Sequence, residues 1–437
     1  MPRRKAASET ATRRAGGKSR HPNGRNSAAF LDPRIEEDRR IALARLQPSA
    51  RDLEHGLALH AASHVIESYG FQPFSSVDGV RMKALVEAGA SPDEIEAQHE
   101  SDMRVRAATD PDERAIHLAA WAAAGVDAIF LNAGQETTDP LRCLRRLAYS
   151  TYASDLLKDH VCRAACPADL ERAKAEGRRA VYLTANAVPL PQRWMSVEEE
   201  LEPLRLFFHL GARMMHLTYN RRNLIGDGCG EAGDAGLSDF GRTVVREMNR
   251  VGMIVDVAHA GFRTSLEAAQ VSERPVMASH TTAHALHPHY RAKPDAVVRA
   301  IADTDGVIGV CGVPSFLGGS GDICALMDHI EYLVKLVGAR HVAIGTDNWY
   351  MSPRDEAAWK QVPPRPPRRK PWYALWPKQP NGFVRQPEQR RSMAWTNWPL
   401  FTVGMVQRGF TDDQIRAILG ENVLRVARAN WDGRTPD

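Results

Sequence analysis

The sequence predicts a closed (β/α)8 barrel of the TIM type, an α/β fold with a helical extension ahead of it and a long loop after strand eight. Three observations point there. The chain holds eight short apolar or β-branched runs, each followed by a polar or glycine-containing loop and then a helical stretch. The runs are apolar at consecutive positions, as strands buried on both faces of a parallel sheet require. They are spread from residue 65 to residue 345 with no glycine-rich fingerprint after the first, which favours closure over an open doubly wound sheet.

Taken in order, residues 1–30 carry eight Lys and Arg against one Glu and almost no large apolar side chains, so they read as a disordered basic tail. Residues 31–64 form an N-terminal helical segment. From Pro33 to His64, and again from Val80 to Ala124, apolar residues recur at helical spacing, as in Ile116, Ala119, Ala120 and Ala123. The barrel domain occupies 65–430, and 431–437 form a C-terminal tail. Its strands are expected at Val65–Ile66, Val126–Leu131, Ala180–Thr184, Met214–Thr218, Met253–Val257, Val276–Ser279, Val307–Val310 and Val342–Gly345. Ser238 ahead of Phe240–Arg250 reads as a helix N-cap, and Thr411 with Gln414 as a capping box that opens a closing helix. The segment 353–392 holds nine prolines and ten basic residues, so propensity excludes helix or central strand. It is expected to be a lid, binding loop or plain surface insertion, with Trp349, Trp359, Trp372, Trp376, Trp395 and Trp398 in it and its flanks.

Composition narrows the function. With 43% hydrophobic and 25% charged residues the chain is globular. It lacks an apolar run long enough to span a membrane, and its basic start lacks the apolar core of a secretory signal. A soluble, cytoplasmic protein with no membrane partner is expected. The net charge of +4 conceals two basic segments, 1–30 and 353–392, around an acidic body. A nucleic-acid reading would rest on those segments alone, on Arg368, Arg369 and Lys370 beside Trp372, Tyr373 and Trp376. The same charges would attract a carboxylate substrate, so nucleic acid is not the expected partner. Six cysteines without a C-x-x-C pair exclude a disulfide scaffold, and Cys162 with Cys166 lacks the second pair a zinc site needs.

In a parallel barrel, chemistry sits at the C-terminal ends of the strands. There the sequence places Tyr219-Asn220, the run Asp256-Val257-Ala258-His259, Ser279-His280 and Thr346-Asp347. His259 and His280 on adjacent strand ends, with Asp347 across from them, are suited to converge on a metal ion or a water. If the reaction is amide hydrolysis, imidazoles suit Zn²⁺ and a free carboxylate such as Asp347 carries a proton to the leaving amine. Arg291, beyond His280, is placed to hold a substrate carboxylate through its planar guanidinium.

The segments Gly226–Cys229, Gly236–Gly241, Glu247–Arg250, Gly252–His259 and Pro275–His280 together resemble the membrane dipeptidase (renal dipeptidase, peptidase M19) family. His289, Arg291, His329–Leu333, Gly345–Asp347 and Gly420–Val426 follow in the same order, so the similarity spans about residues 60–430. The resemblance implies a (β/α)8 barrel with a binuclear zinc site that cleaves dipeptides. It assigns His259 and His280 to the metal, Asp347 to catalysis and Arg291 to the substrate carboxylate. It also exposes departures. The family's first strand ends in D-G-H-x-D, whose His and Asp bind zinc; here the segment is Glu67-Ser68-Tyr69-Gly70-Phe71. The bridging glutamate falls near Ala185-Asn186, and the histidine after strand four is Tyr219. One zinc ion at most is expected. Three outcomes stand open: a mononuclear hydrolase, a metal-free enzyme using Tyr69, Tyr219 and Asp347, or a barrel that binds without cleaving. A small-molecule or dipeptide substrate is the expected partner, and a homodimer is compatible with the chain.

Overall fold

The protein is described from a computed structural model, which covers residues 32–365, 367, 370–377 and 383–431. The expected basic tail, Arg368 and Arg369 of the loop, and the terminal stretch from 432 lie outside the described residues.

Among the described residues nine strands alternate with helices: β1 (Ile66–Gly70), β2 (Ala128–Asn132), β3 (Val161–Arg163), β4 (Arg179–Ala185), β5 (Ala212–His216), β6 (Ile254–Asp256), β7 (Met277–Thr281), β8 (Val307–Val310) and β9 (Val342–Ile344). They pair in the order β1-β2-β4-β5-β6-β7-β8-β9, every pair parallel. The protein is a (β/α)8 barrel with one extra strand, β3, attached outside the ring to β4. All eight expected strands are present. The sequence does not announce β3, because three residues with an exposed Arg163 give no alternation to read.

Closure between β9 and β1 is made by a side chain. Glu67, fully buried, accepts from the backbone N–H (3.0 Å) and hydroxyl of Thr346, while its other oxygen accepts from Trp395 Nε1 at 2.8 Å. Burial pushes this carboxyl up to about 8, against the pull of its donors. Polar Glu67 and Ser68 lengthen β1 beyond the apolar pair the sequence suggested, since both side chains find partners inside the wall. Gly345 packs so closely on Tyr69 and Ser68 that a Cβ there would sit 2.6 Å from the Ser68 hydroxyl.

Ile66, Ala128, Phe130, Tyr182, Met214, Ile254, Met277, Val307 and Ala343 fill the barrel, and Val423, Leu424 and Val426 of the helix Asn422–Trp431 belong to the same apolar cluster. The opposite, C-terminal ends of the strands are therefore the open face. Helices Pro33–Leu46 and Ala50–Ala62 occupy the expected N-terminal segment, the second packing on Trp398–Gln407. Ser238 caps Asp239–Val251, and Thr411 and Gln414 form their capping box.

The segment 353–392 corrects one expectation: it contains helices, Asp355–Trp359 and Pro387–Ser392. The first avoids the prolines, and the second starts on one, where a missing N–H costs nothing. No helix among the described residues is long and apolar enough to cross a membrane.

Candidate active site

At the open face, the adjacent strands β5, β6 and β7, with β9 two places on, deliver the predicted residues to one place. His259 follows β6, and its imidazole meets that of His280, in β7, with Nε2 atoms 2.9 Å apart. Both rings are buried, and burial, reinforced by the nearby Arg291 charge, holds each well below the usual histidine range. Neutral rings fix the hydrogen-bond sense. His259 Nδ1–H donates to Asn220 Oδ1 at 2.6 Å, leaving its Nε2 to accept the Nε2–H of His280. His280 Nδ1 then accepts the Ser279 hydroxyl at 2.9 Å.

Two aromatic rings cover this pair. Tyr69 stacks on His280 at 3.9 Å and Tyr219 on His259 at 4.0 Å. Burial raises both phenols well above their ordinary range, so they act as hydrogen-bond donors and not as bases. Tyr69 donates to Asn186 (2.7 Å) and accepts from Asn132 (2.8 Å). Asn186 in turn donates to Glu136 at 2.8 Å. Burial would raise Glu136, but the guanidinium of Arg146, 2.7 Å away, overrides it and keeps the group a carboxylate. A carboxylate therefore stands beside the position where the family carries its bridging glutamate, supplied from the loop after β2.

Asp347 lies three residues beyond the end of β9, in the left-handed region at φ 55°, and Asn220 shares that conformation at φ 62°. Non-glycine residues adopt it seldom, Asn and Asp most readily, and at functional sites it aims a side chain. Asn220 also needs Gly228 beside it, because any Cβ there would collide with the Asn220 backbone. Asp347 is half-buried, and desolvation raises its carboxyl to about 6 against the opposing charge of Arg291.

Arg291 is buried. Its terminal nitrogens donate to the carbonyls of Ala258 and His280 (3.0 Å for the latter), tying the ends of β6 and β7 together, while Nε has no hydrogen-bond partner. The segment 353–392 reaches over this face. Tyr373 meets Tyr219 edge-on at 5.3 Å, Trp376 lies 5.4 Å from Tyr290, and Arg390 lies over Trp349 at 4.6 Å.

Two residues of this region were not singled out from the sequence as site residues: His216 at the end of β5 and Asp256 at the end of β6. With His280 they place ligand-type atoms within 4.8 Å of one another. The available signal was period-two alternation, since Met214 and His216 share the inward face of β5.

The mouth of this parallel barrel thus gathers histidines, an aspartate and an arginine. The chain belongs to the membrane dipeptidase family, peptidase family M19, whose family model matches residues 114–354. It is similar to Dipeptidase aclJ of Aspergillus oryzae, 36% identical over 150 residues that make up 33% of this chain and 36% of that protein. The match thus spans about a third of that relative's length. Among solved structures it resembles an amidohydrolase from Pseudomonas aeruginosa, at 25% identity and TM-score 0.62 over 86% of this chain and 99% of that one. The probable dipeptidase PvdM from Pseudomonas aeruginosa shares the fold at 18% identity and TM-score 0.61, over 88% and 99%. So does a metallopeptidase from Rhodobacter sphaeroides liganded with a phosphinate mimic of L-Ala-D-Ala, at 16% and 0.58 over 84% and 99%.

The residues present do not fit the pair of zinc ions that the family resemblance implies. Tyr69 is protonated and engaged with two asparagines, and Phe71 packs on Tyr69 and Trp349 at 6.1 and 5.7 Å. Two of the four replaced positions are thereby filled by side chains that do not ordinarily hold a metal.

Proposed function

We propose that the protein is a hydrolase cleaving the amide bond of a small carboxylate-bearing substrate such as a dipeptide, assisted by one zinc ion at most. The observation that carries this reading is the meeting of His259 and His280, Nε2 to Nε2, in a site where the carboxyl of Asp347 titrates near neutrality. A carboxyl with pKa near the working pH takes and returns a proton efficiently, so Asp347 is assigned the proton transfer to the leaving amine. His259 and His280 contribute imidazoles toward a metal, which when bound would polarise the scissile carbonyl and acidify a water. Tyr69 and Tyr219 are assigned as donors that orient the substrate. Arg291 is assigned to the substrate carboxylate, through its guanidinium charge. The 353–392 segment, through Tyr373 and Arg390, is assigned as a lid that excludes water from the mouth. The family and its dipeptidase-named relatives support the reaction class.

A second reading, a barrel that binds without cleaving, is favoured by the relay Asn220–His259–His280–Ser279, which engages all four ring nitrogens of the mouth pair in hydrogen bonds. Incubation with a panel of dipeptides, with products analysed by mass spectrometry, separates the two: free amino acids support the hydrolase, and saturable binding with no product supports the binding protein.

A further inference from the structure

The mouth pair is satisfied, but the residues beside it are not. His216 Nε2 lies 2.8 Å from Asp256 Oδ2, yet the two do not meet hydrogen-bond geometry, and both His216 nitrogens and Asp256 Oδ2 lack partners. His216 is 1% exposed and Asp256 0%, so no water compensates from bulk solvent. A buried polar atom left this way destabilises the fold unless something pairs with it. The other oxygen of Asp256 is fully used, accepting from Ala258 N (2.9 Å) and Ser279 N (3.1 Å), which aims Oδ2 at His216 and His280. The rings of His216, His259 and His280 stand 4.9–5.3 Å apart, steeply tilted to one another, and ligand-type atoms of His216, Asp256 and His280 all lie within 4.8 Å of one another.

We propose that His216, Asp256 and His280 form a single transition-metal site just inside the mouth, for which His280 exchanges one of its hydrogen bonds, to His259 or from Ser279, for the ion, with His259 flanking the site. Two imidazoles and one carboxylate are a ligand set for Zn²⁺ or a similar divalent ion that leaves a position open. The inference rests on the metal-assisted reading above and changes which residues hold the ion. Its failure is distinguishable from failure of that reading, because dipeptide turnover tests the reading and ion location tests the inference.

The test is metal content by elemental mass spectrometry after growth with zinc and purification without chelator, on wild type, His216→Ala, Asp256→Asn and His259→Ala, each checked for folding by circular dichroism. The wild type is expected to hold near one ion per chain. His216→Ala and Asp256→Asn are expected to lower occupancy at least about tenfold at limiting zinc, while His259→Ala changes it by less than about threefold. Retention in the first two with loss in His259→Ala would overturn the proposal, as would a wild type that takes up no ion. If the first two variants fail to fold, anomalous diffraction from wild-type crystals at the zinc edge decides: a peak bonded to His216 and Asp256 supports the site, and a peak or blank elsewhere overturns it.

Discussion

Replacing Asp347 with asparagine isolates the proton-transfer role from the fold. The side chain is half-buried, and asparagine tolerates the left-handed backbone at φ 55° as well as aspartate does, so the variant is expected to fold normally. Desolvation sets the carboxyl near 6, so the carboxylate form falls from about nine-tenths at pH 7 to about one-tenth at pH 5. Activity carried by that carboxylate then drops as pH falls through 6, about tenfold per unit once below it. Loss of a positioned general acid–base group costs about 10²–10⁴-fold, or about 3–5 kcal/mol of barrier. The assay is kcat/KM for a dipeptide from pH 5 to pH 8 in wild type and Asp347→Asn. The reasoning is refuted if the variant keeps activity within about threefold of wild type, or keeps the same acid limb.

The remaining predictions concern the scaffold, the substrate and the cover. Glu67→Ala leaves Thr346 and Trp395 donors without their acceptor inside the β9–β1 seam and is expected to cost several kcal/mol in urea unfolding, at about 1–3 per orphaned group. Because Glu67 titrates near 8 when folded and near 4.5 when free, the folded chain holds a proton in that window that the unfolded chain has lost. Stability should fall as pH rises from about 4.5 to about 8, and Glu67→Gln should flatten that slope; an unchanged slope contradicts the assignment. Arg291→Met is expected to raise KM for carboxylate-bearing substrates more than for their amides, and equal effects would leave Arg291 the tie between β6 and β7 and nothing more. Tyr373→Ala, which removes the contact over Tyr219, is expected to lower kcat/KM without moving the melting temperature; unchanged kinetics would remove the lid role.

The barrel was legible because buried parallel strands write themselves as apolar runs, and all eight appear where those runs lie. What stayed hidden followed from the same rule. Glu67 and His216 are polar residues inside strands, each buried among partners contributed by other strands, and a window along one strand cannot see them; Asp256 was read as part of a strand-end run but its own role was not. His259, His280 and Asp347 were readable because they follow or end their strands, where a polar residue breaks the pattern. Tyr69 stood out only by comparison with the family's motif, whereas Tyr219 also marked a strand end. Their stacking on the two histidines depends on the barrel bringing β1 against β7 and the β5 loop against the β6 loop. Glu136 escaped notice because its tie to Asn186 joins the loops after β2 and β4, distant in the chain.

Whether the imidazoles and carboxylate gathered at this rim perform hydrolysis is tested most directly by quantifying amino acids released from dipeptides by the wild-type chain. The assay is run as purified, after exhaustive chelation, and after zinc is returned. The account predicts turnover that chelation removes and zinc restores, and that is absent throughout in Asp347→Asn. Dipeptides recovered intact under all three conditions would contradict it.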